Sequence, residues 1–322
     1  MIRYFSMFSG IGGFELGIIK ALPRAESVGY SEIDKYAIQI YQQHFPSHKN
    51  YGDATKIDPQ SIPDFDFLCG GFPCQAFSVA GKRRGFDEAR GTLFFDIARI
   101  LKEKQPRNFL LENVKGLLSH DNGRTFKVII STLAELGYSV EWQVLNSKNF
   151  GVPQNRERVF IVGHFGGLPR RQVFPIGEDD GVSDRETGTD EGRTQAHYSH
   201  TLRGPNVKAD QVFIAESEAI APTLRASDNK RGDNQTVVYD MSYPSRVREY
   251  TDTAPTVRNY GSGGNKMPIV GGIRRLTPIE CERLQGFPDG WTEKVSDTQR
   301  YKCIGNAVTV NVIQTIIEKM FI

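Results

Sequence analysis

The first 165 residues alternate short apolar segments with helical patterns, and this alternation constrains the fold more than any other feature of the chain. The apolar segments are rich in aromatic and β-branched residues and are bounded by turn residues, which is typical of buried strands. Strands that alternate with helices form a parallel sheet covered by helices. The sequence therefore predicts an α/β domain over residues 1–165.

The element boundaries follow from turn residues and helix-ending residues. Pro23 ends a first helix that begins after the glycines at 10–13, and Gly137 ends a later one. The last two strands of this region read as a closing β pair. The predicted strands span residues 2–8, 25–32, 65–70, 109–114, 139–146 and 158–164, and the further helices span 35–44, 92–104 and 125–136.

The chain changes character at Gly166. Residues 178–191 hold seven acids and one base with almost no apolar residue, as in a solvated loop. Residues 192–275 hold twelve bases and eight acids in a Gly-, Thr- and Asn-rich stretch of short strands. We therefore expect a smaller, irregular β-rich domain at 166–272. Helices return at 273–322, with a capping box at 277–280 and a last helix at 307–320 that packs back on the first domain.

Composition excludes several classes of protein. The chain contains no uncharged apolar run near 20 residues and no recognisable signal peptide, which argues against a membrane span or export. Its four cysteines form neither a CxxC pair nor a dense disulfide pattern, so we expect a cytoplasmic protein without a metal site. The net charge of +2 is too small to indicate nucleic-acid binding by itself, although it can hide local basic patches.

A glycine-rich loop follows the first predicted strand. The sequence FSGIGG at 8–13 permits close approach of the backbone to a ligand, but it lacks the full order of a dinucleotide-binding loop. Glu32 ends the second strand, where it can accept hydrogen bonds from ribose hydroxyls, and Asp53 can accept one from an adenine amino group. Each acid alone is also compatible with a solvated strand end.

Three groups of reactive residues end neighbouring strands. The turn GGFPCQ at 70–75 presents Cys74 at the sheet edge, whereas Cys69 should be a buried structural thiol. Glu112 reaches the same edge one strand further on, where we expect a raised pKa that suits a proton donor. Arg156 and Arg158 alternate along the last strand and should project to one face. A cysteine, a glutamate and an arginine from three strands can thus converge on one ring of a ligand.

The motifs together resemble the DNA cytosine-5 methyltransferases, with matching order and spacing. They are FSGIGG at 8–13, GFPCQ at 71–75, ENV at 112–114, QNRER at 154–158, RLTPIECERLQGFP at 275–288 and GNAV at 305–308. The resemblance covers about residues 3–165 and 272–321. It implies a Rossmann-like, S-adenosylmethionine-dependent domain, and it makes the middle segment a target-recognition domain.

The resemblance also implies residue roles. Cys74 would add to ring carbon 6 of a flipped-out cytosine, Glu112 would hold ring nitrogen 3 and the exocyclic amine, and Arg158 would bind the ring carbonyl, supported by Arg156 and Gln154. The implied cofactor residues are Phe8, Gly10, Ile11, Gly12, Gly13, Glu32, Ile33, Asp53, Ala54, Pro73, Leu93, Asn306, Ala307 and Val308. Ile33 stands where family members often carry a tryptophan that stacks on adenine, and Ala307 replaces a frequent serine.

DNA-binding residues are predicted in two places. A lid at 75–91 is basic and carries glycines at possible hinges. Three Thr-Leu-Arg or Thr-Val-Arg steps recur in the middle segment, either as recurring strand starts or as three arginines presented on one surface. The predicted DNA contacts are Ser78, Lys82, Arg83, Arg84 and Arg90 from the lid and Arg203, Arg225, Arg231, Thr256 and Arg258 from the middle segment.

Alternatives remain open on these residues. A tRNA cytosine-5 methyltransferase would use the same chemistry, but a recognition segment of this size favours double-stranded DNA. The intact Cys74, Glu112 and Arg158 argue against a catalytically silent DNA-binding paralogue. A nicotinamide dehydrogenase would leave the Pro-Cys turn without a role. We expect a bacterial, archaeal or phage-encoded monomer that acts on DNA, separately from any cognate restriction endonuclease.

Overall fold

The computed structural model describes residues 1–73, 93–166, 172–177 and 276–322 in full, and the backbone of five short strands between 212 and 275. Its main sheet has six strands, in the spatial order β2-β1-β3-β4-β7-β5. The strands are β1 (Arg3–Met7), β2 (Glu26–Ser31), β3 (Phe67–Gly71), β4 (Asn108–Val114), β5 (Tyr138–Asn146) and β7 (Glu157–Phe165), with the two-residue β6 (Gln154–Asn155) beside them.

The first four strands of this sheet run parallel, whereas β7 pairs antiparallel with both β4 and β5. The predicted α/β class and the closing β pair are therefore confirmed. The helices of the same region are α1 (Gly13–Ala21), α2 (Lys35–His44), α3 (Leu93–Lys104) and α4 (Arg124–Glu135). Most observed boundaries differ from the predicted ones by a single residue.

Side chains alternate between two apolar cores along the buried strands, as the twofold repeat of a strand requires. On one face, Phe5 and Leu68 pack with α3 and α4. On the other face, Tyr4 and Phe67 pack with α1 and with the last helix, α7 (Val310–Phe321). A third core joins α2 to α5 (Pro278–Leu284) and α6 (Asp297–Asn306). The carboxyl-terminal helices therefore contact the amino-terminal part of the chain.

The carboxyl-terminal helices differ in part from the prediction. The capping box of α5 is present, with Thr277 as N-cap and Pro278 as the first helical residue. The last helix, however, begins at Val310 rather than at 307, because Ala307 is extended and the Val310 N–H donates to the Gln285 carbonyl. Helix α6 was missed, since its first turn is polar and only a few of its residues are buried.

The middle segment contains β8 (Val212–Ala215), β9 (Val237–Asp240), β10 (Arg248–Tyr250), β11 (Ala254–Pro255) and β12 (Ile273–Arg275). Four of them form an antiparallel sheet in the order β10-β9-β8-β12, and β11 pairs in parallel with β6. Short strands are what the sequence predicted here. Among the described residues, no helix combines the length and apolar character that crossing a bilayer requires.

Candidate active site

A cleft of about 390 Å³ opens where the parallel strands end. Carboxyl ends of parallel strands are where open α/β sheets bind their ligands. The cleft is bounded by the loop after β1, the segment after β2, the ends of β3 and β4, the start of β7 and the loop after α6. The predicted site residues that line it are Phe8, Gly10, Ile11, Gly13, Glu32, Pro73, Glu112, Arg156, Arg158, Asn306, Ala307 and Val308.

The glycine loop is tied to the end of β2. The Ser9 N–H donates to the Ser31 carbonyl at 3.2 Å, and the Gly10 N–H donates to Oε2 of Glu32 at 2.9 Å. Phe8 has a φ of +54°, which is uncommon for a residue with a side chain and recurs at functional sites. A Cβ on Gly10 would meet no atom within 4 Å. The loop therefore presents bare backbone to the cleft.

Glu32 is held by backbone amides on both carboxylate oxygens. Besides Gly10, the N–H groups of Ile33 and Asp34 donate to its Oε1, each at 2.8 Å. A carboxylate has about four acceptor positions, so these three bonds leave capacity for a hydroxyl of a ligand. Glu32 is thus pre-oriented at the cleft, as an acceptor for ribose requires.

Several predicted cofactor residues do not line the cleft. Ile33 stands beside it with a side chain in solvent, and the residue is 71% exposed. Asp53 caps a short 3₁₀ turn through the Thr55 N–H and hydroxyl, which lower the pKa of its carboxyl. Ala54 is buried in the core, and its carbonyl accepts from Arg99. Leu93 begins α3 and Gly12 precedes α1.

Glu112 and Arg158 face each other across the antiparallel pair of β4 and β7. The distance from Nε of Arg158 to Oε1 of Glu112 is 3.0 Å, and both side chains are largely buried. The other carboxylate oxygen, Oε2, lies against Gly71 on β3, where an added Cβ would approach it to 2.9 Å. Only glycine at this position leaves the carboxylate undisturbed. A carboxyl group and a guanidinium group therefore lie side by side in this part of the cleft.

Asn113 fixes the end of β3. Its Nδ2 donates to the Phe72 carbonyl at 2.8 Å, and it is 2% exposed. Phe72 and Pro73 immediately precede Cys74 in the sequence and line the cleft. The amide of Asn113 thus holds the backbone just before Cys74 in the sequence.

Arg156 lies between β6 and β7 and is almost fully buried. Its Nη2 donates to the carbonyls of Gly305, at 3.2 Å, and Ala307, at 2.8 Å. Burial and, to a lesser extent, the neighbouring Arg158 lower the pKa of its guanidinium to about 9, while Glu112 opposes this shift. Although both arginines line the cleft as predicted, Arg156 is turned to the loop after α6 and Arg158 to Glu112.

Gln154 does not line the cleft. It is fully buried in β6, and its side-chain amide has no hydrogen-bond partner among the described residues. Its backbone pairs with Ala254 of β11, so the supporting residue of the motif lies where the middle segment meets the first domain.

Sequence reasoning missed some residues of the cleft. Asp34 lines it, caps α2, and pairs with Lys302 at 2.6 Å. Cys303 also lines it, and burial raises the pKa of this thiol to about 12. Trp291 holds the glycine loop from behind, since its Nε1 donates to the Ile11 carbonyl at 2.9 Å. Because α6 lacks a clear sequence pattern, no signal pointed to Cys303 or Lys302.

The remaining predicted residues lie outside the described part of the chain. They are Cys74, Ser78, Lys82, Arg83, Arg84, Arg90, Arg203, Arg225, Arg231, Thr256 and Arg258, together with the predicted lid at 75–91 and the acidic loop at 178–191.

The described residues fit S-adenosylmethionine. Bare glycine backbone, the pre-oriented Glu32 and the backbone at 306–308 lie in the same cleft as Glu112 and Arg158. The first set suits the amino-acid and ribose parts of a nucleoside ligand, and the second suits a polar ring with donor and acceptor edges. The cleft thus offers two adjoining subsites, one for each reactant of a transfer reaction.

Comparison with known proteins agrees with this geometry. The family model described as "C-5 cytosine-specific DNA methylase" matches residues 2–322. The chain is 42% identical over 325 residues to the type II methyltransferase M1.ScrFI of Lactococcus lactis subsp. cremoris, which covers 99% of this chain and 77% of that protein. It is 41% identical to M.NgoBI of Neisseria gonorrhoeae, over 98% of this chain and 91% of that one.

A third relative, M.HhaI of Haemophilus parahaemolyticus, is 36% identical over 98% of this chain and 93% of its own. Among solved structures, the Dnmt2 methyltransferase of S. pombe has a similar fold, with a TM-score of 0.66 over 99% of this chain and 98% of that chain. Their sequence identity is 19%, so this likeness concerns the fold alone.

Proposed function

Because the chain belongs to the C-5 cytosine-specific DNA methylase family and is an S-adenosylmethionine-dependent DNA cytosine-5 methyltransferase, we propose that it acts as a type II methyltransferase on a specific sequence of double-stranded DNA. The observation that carries the proposal is the Glu112–Arg158 pair, which lies in one cleft with Glu32 and the glycine loop. This combination suits a polar base next to a nucleoside cofactor.

Cytosine is a poor nucleophile at ring carbon 5, so it must be activated. In the proposed mechanism the Cys74 thiolate adds to ring carbon 6, while Glu112 donates a proton to ring nitrogen 3 and accepts a hydrogen bond from the exocyclic amine. Arg158 binds the ring carbonyl oxygen, which draws electrons from the ring and favours the addition. The resulting enamine has a nucleophilic carbon 5. S-adenosylmethionine, when bound, supplies the methyl group.

Resolution of the adduct requires removal of the proton from carbon 5 and release of Cys74. Among the described residues that line the cleft, none is an evident base for this proton, since Glu112 and Arg158 hold the opposite edge of the ring. We assign this step to water. Gln154 and Arg156 act as supports: the first is part of the strand that pairs with the middle segment, and the second holds the loop after α6.

The remaining cofactor contacts are proposed from both sequence and position. The backbone of Gly10, Ile11 and Gly13, with Gly12 between them, and the backbone at 306–308 surround the amino-acid end, which Phe8 and Pro73 border. Glu32 binds the ribose. The exposed Ile33 provides an apolar cover for adenine. Asp53 binds the adenine amino group through Oδ2, the oxygen that does not cap the 3₁₀ turn and that lies 3.5 Å from Nζ of Lys56. Ala54 and Leu93 are the remaining residues proposed for the adenine end of the cofactor.

Residues 166–272 form the target-recognition domain in this proposal, inserted between the catalytic segments 1–165 and 273–322. The segment that leads into this domain is anchored on the main sheet. Oε2 of Glu141 on β5 accepts hydrogen bonds from the N–H groups of Val173 and Phe174, both at 3.1 Å. Since a stacked duplex hides ring carbon 5, the target base is flipped into the cleft. The residues predicted for DNA contact at 78–90 and at 203–258 then face the duplex.

We further propose that the protein acts as a monomer in a bacterial cytoplasm, where its substrate DNA lies. As a type II methyltransferase of a restriction–modification system, it would protect sites that a separate endonuclease cleaves. RNA is the competing substrate, because the same chemistry operates on cytosine in tRNA.

The test is methylation in an expressing strain. Bisulfite sequencing of a plasmid from this strain should reveal one recurring sequence with a modified cytosine, and Cys74→Ser should abolish the modification. A duplex with 5-fluorocytosine at that site should form a denaturation-resistant adduct with the wild type. Cys281→Ala, which removes a buried thiol of α5 outside the cleft, is the matched control and should retain both results.

Three outcomes would contradict the proposal: modification of RNA but not DNA, a Cys74→Ser rate above about a tenth of the wild-type rate, or an adduct that persists without the Cys74 thiol.

A further inference from the structure

A buried chain of hydrogen bonds connects the cofactor side of the cleft with the base side. Thr309 follows the cleft-lining residues 305–308, and its hydroxyl donates to Oε1 of Gln285 at 2.8 Å. Oγ of Ser147 lies 2.8 Å from the same hydroxyl oxygen. All three side chains are at most 2% exposed. None of them lines the cleft, so contact with the reactants does not explain their burial.

Each end of this series of hydrogen bonds continues into one subsite. At one end, the Ser147 N–H donates to the Arg156 carbonyl at 3.0 Å, two residues before Arg158. At the other end, Nε2 of Gln285 donates to the Ile304 carbonyl at 3.3 Å, and the Gln285 carbonyl accepts from the Val310 N–H at 2.9 Å. Gln285 therefore forms hydrogen bonds on both sides of the cofactor loop, residues 305–308.

The donor order follows from hydrogen count. A threonine hydroxyl has one hydrogen, and Thr309 gives it to Gln285. The single hydrogen of the Ser147 hydroxyl is then shared between the Thr309 oxygen at 2.8 Å and the Arg156 carbonyl at 3.3 Å. Thr309 lies between the other two side chains, so it is the link on which the connection depends.

We propose that Ser147, Thr309 and Gln285 are positioning residues that couple the two subsites, so that binding of a target base and binding of S-adenosylmethionine strengthen each other. The proposal rests on the proposed function. Arg156, held to the same loop through Gly305 and Ala307, provides a parallel link. Because the chain is buried and its members have matched partners, a shift of the base-side strand moves the loop instead of being absorbed by water.

The test measures how DNA changes cofactor affinity. The ligand is S-adenosylhomocysteine, which does not react, and the DNA is a duplex that carries the site mapped by bisulfite sequencing. We expect the wild type to bind this ligand about fivefold more tightly, or more, with DNA than without it. Thr309→Val keeps the shape but removes the hydroxyl, and should lower the ratio below that of the wild type, while the link through Arg156 remains. Thr309→Ser should restore the wild-type ratio.

Thr315→Val is the matched control, because it makes the same chemical change on α7 at a hydroxyl that donates only to the Asn311 carbonyl. It should retain the wild-type ratio. If Thr309→Val does not fold, Ser147→Ala breaks the chain at its other end and should also lower the ratio. Circular dichroism and the thermal midpoint establish folding in each case.

An unchanged ratio in folded Thr309→Val, or its loss in Thr309→Ser, would overturn the proposal. A wild type that methylates DNA without any affinity change would overturn it as well, while leaving the methyltransferase function intact. A wild type that methylates no DNA would instead overturn the proposed function, and the coupling with it.

Discussion

Glu15 is a buried acid for which the transfer reaction has no evident use. It lies in the first turn of α1, fully enclosed, and its Oε1 accepts from the Tyr41 hydroxyl at 3.0 Å. Its Oε2 has no hydrogen-bond partner among the described residues. Burial raises the pKa of Glu15 from 4.5 to about 7, because a low-dielectric interior disfavours the charged form.

This pKa predicts a pH dependence of stability. A carboxyl with a higher pKa in the folded chain holds its proton more tightly when the chain is folded. Its contribution to the free energy of unfolding is therefore greatest below pH 4.5 and is lost as the pH rises through about 7. Glu15→Gln keeps the shape without a charge. We expect its free energy of unfolding, relative to the wild type, to rise by about 2–3 kcal/mol between pH 5 and pH 8.

Urea denaturation at the two pH values measures this difference. Glu103→Gln is the control, because this glutamate is exposed on α3 and removal of its charge relieves no burial. Equal stability differences for Glu15→Gln at both pH values would show that Glu15 is not the titrating group.

For single residues, position in the cleft could be predicted better than hydrogen-bond partners. Glu112 and Arg158 were placed correctly in one cleft, because strand ends in an α/β sheet meet at one edge. The orientation of Arg156 toward carbonyls of the loop after α6 could not be predicted, since both its strand position and that loop depend on tertiary contacts. The same reason hides Asp34, Cys303 and Trp291 from a sequence pattern.

Among the elements, α1 and α7 pack together next to the cleft-lining residues 305–308. Gly17 faces α7, and a Cβ there would lie 2.6 Å from Cγ2 of Ile313 and 3.0 Å from the Val310 carbonyl oxygen. Val310 begins α7 directly after the cleft-lining residues. Any side chain at 17 must push the helices apart at the end that holds the cofactor.

Gly17→Ala should therefore destabilise the fold by about 1–3 kcal/mol, although alanine favours helices. It should also weaken S-adenosylmethionine binding, because the start of α7 moves with its loop. Thermal unfolding and calorimetric titration measure the two effects. Gly116→Ala, where the added Cβ meets no atom within 4 Å, is the control. A stability gain in Gly17→Ala would show that the two helices do not pack this closely.

Helices and strands with strong apolar periodicity were predicted almost to the residue, as α2 shows. The start of α7 was placed three residues too early, because residues 307–309 are short or β-branched and fit a helix as well as a loop. What decides their conformation is Gln285, which lies over twenty positions away and bonds both Thr309 and Val310. A long-range bond of this kind leaves no local pattern.

For the whole molecule, we expect chemistry and sequence choice to depend on different segments of the chain. The cleft is lined by residues from the first 165 and the last 50 positions, whereas the middle segment contacts the amino-terminal region where β11 pairs with β6. Ala254 and Pro255 lie beside Gln154 and Asn155, and the Thr-Val-Arg step at 256–258 follows in the sequence. Substitutions in the middle segment should therefore alter which site is modified while the transfer step stays intact.

Base reading in the major groove most often uses arginine on guanine, at about 1–3 kcal/mol for a bidentate contact, whereas phosphate contacts weaken all sequences alike. We predict that at least one of Arg203→Ala, Arg225→Ala and Arg258→Ala relaxes sequence choice at a single base pair. Bisulfite sequencing of expressing strains reads the modified sites directly. Arg24→Ala is the control, because this exposed arginine precedes β2 at the amino edge of the sheet, opposite the cleft. If all three variants lower methylation uniformly and flatten its salt dependence, these arginines hold phosphates, and the recurring Thr-Leu-Arg and Thr-Val-Arg steps mark strand starts.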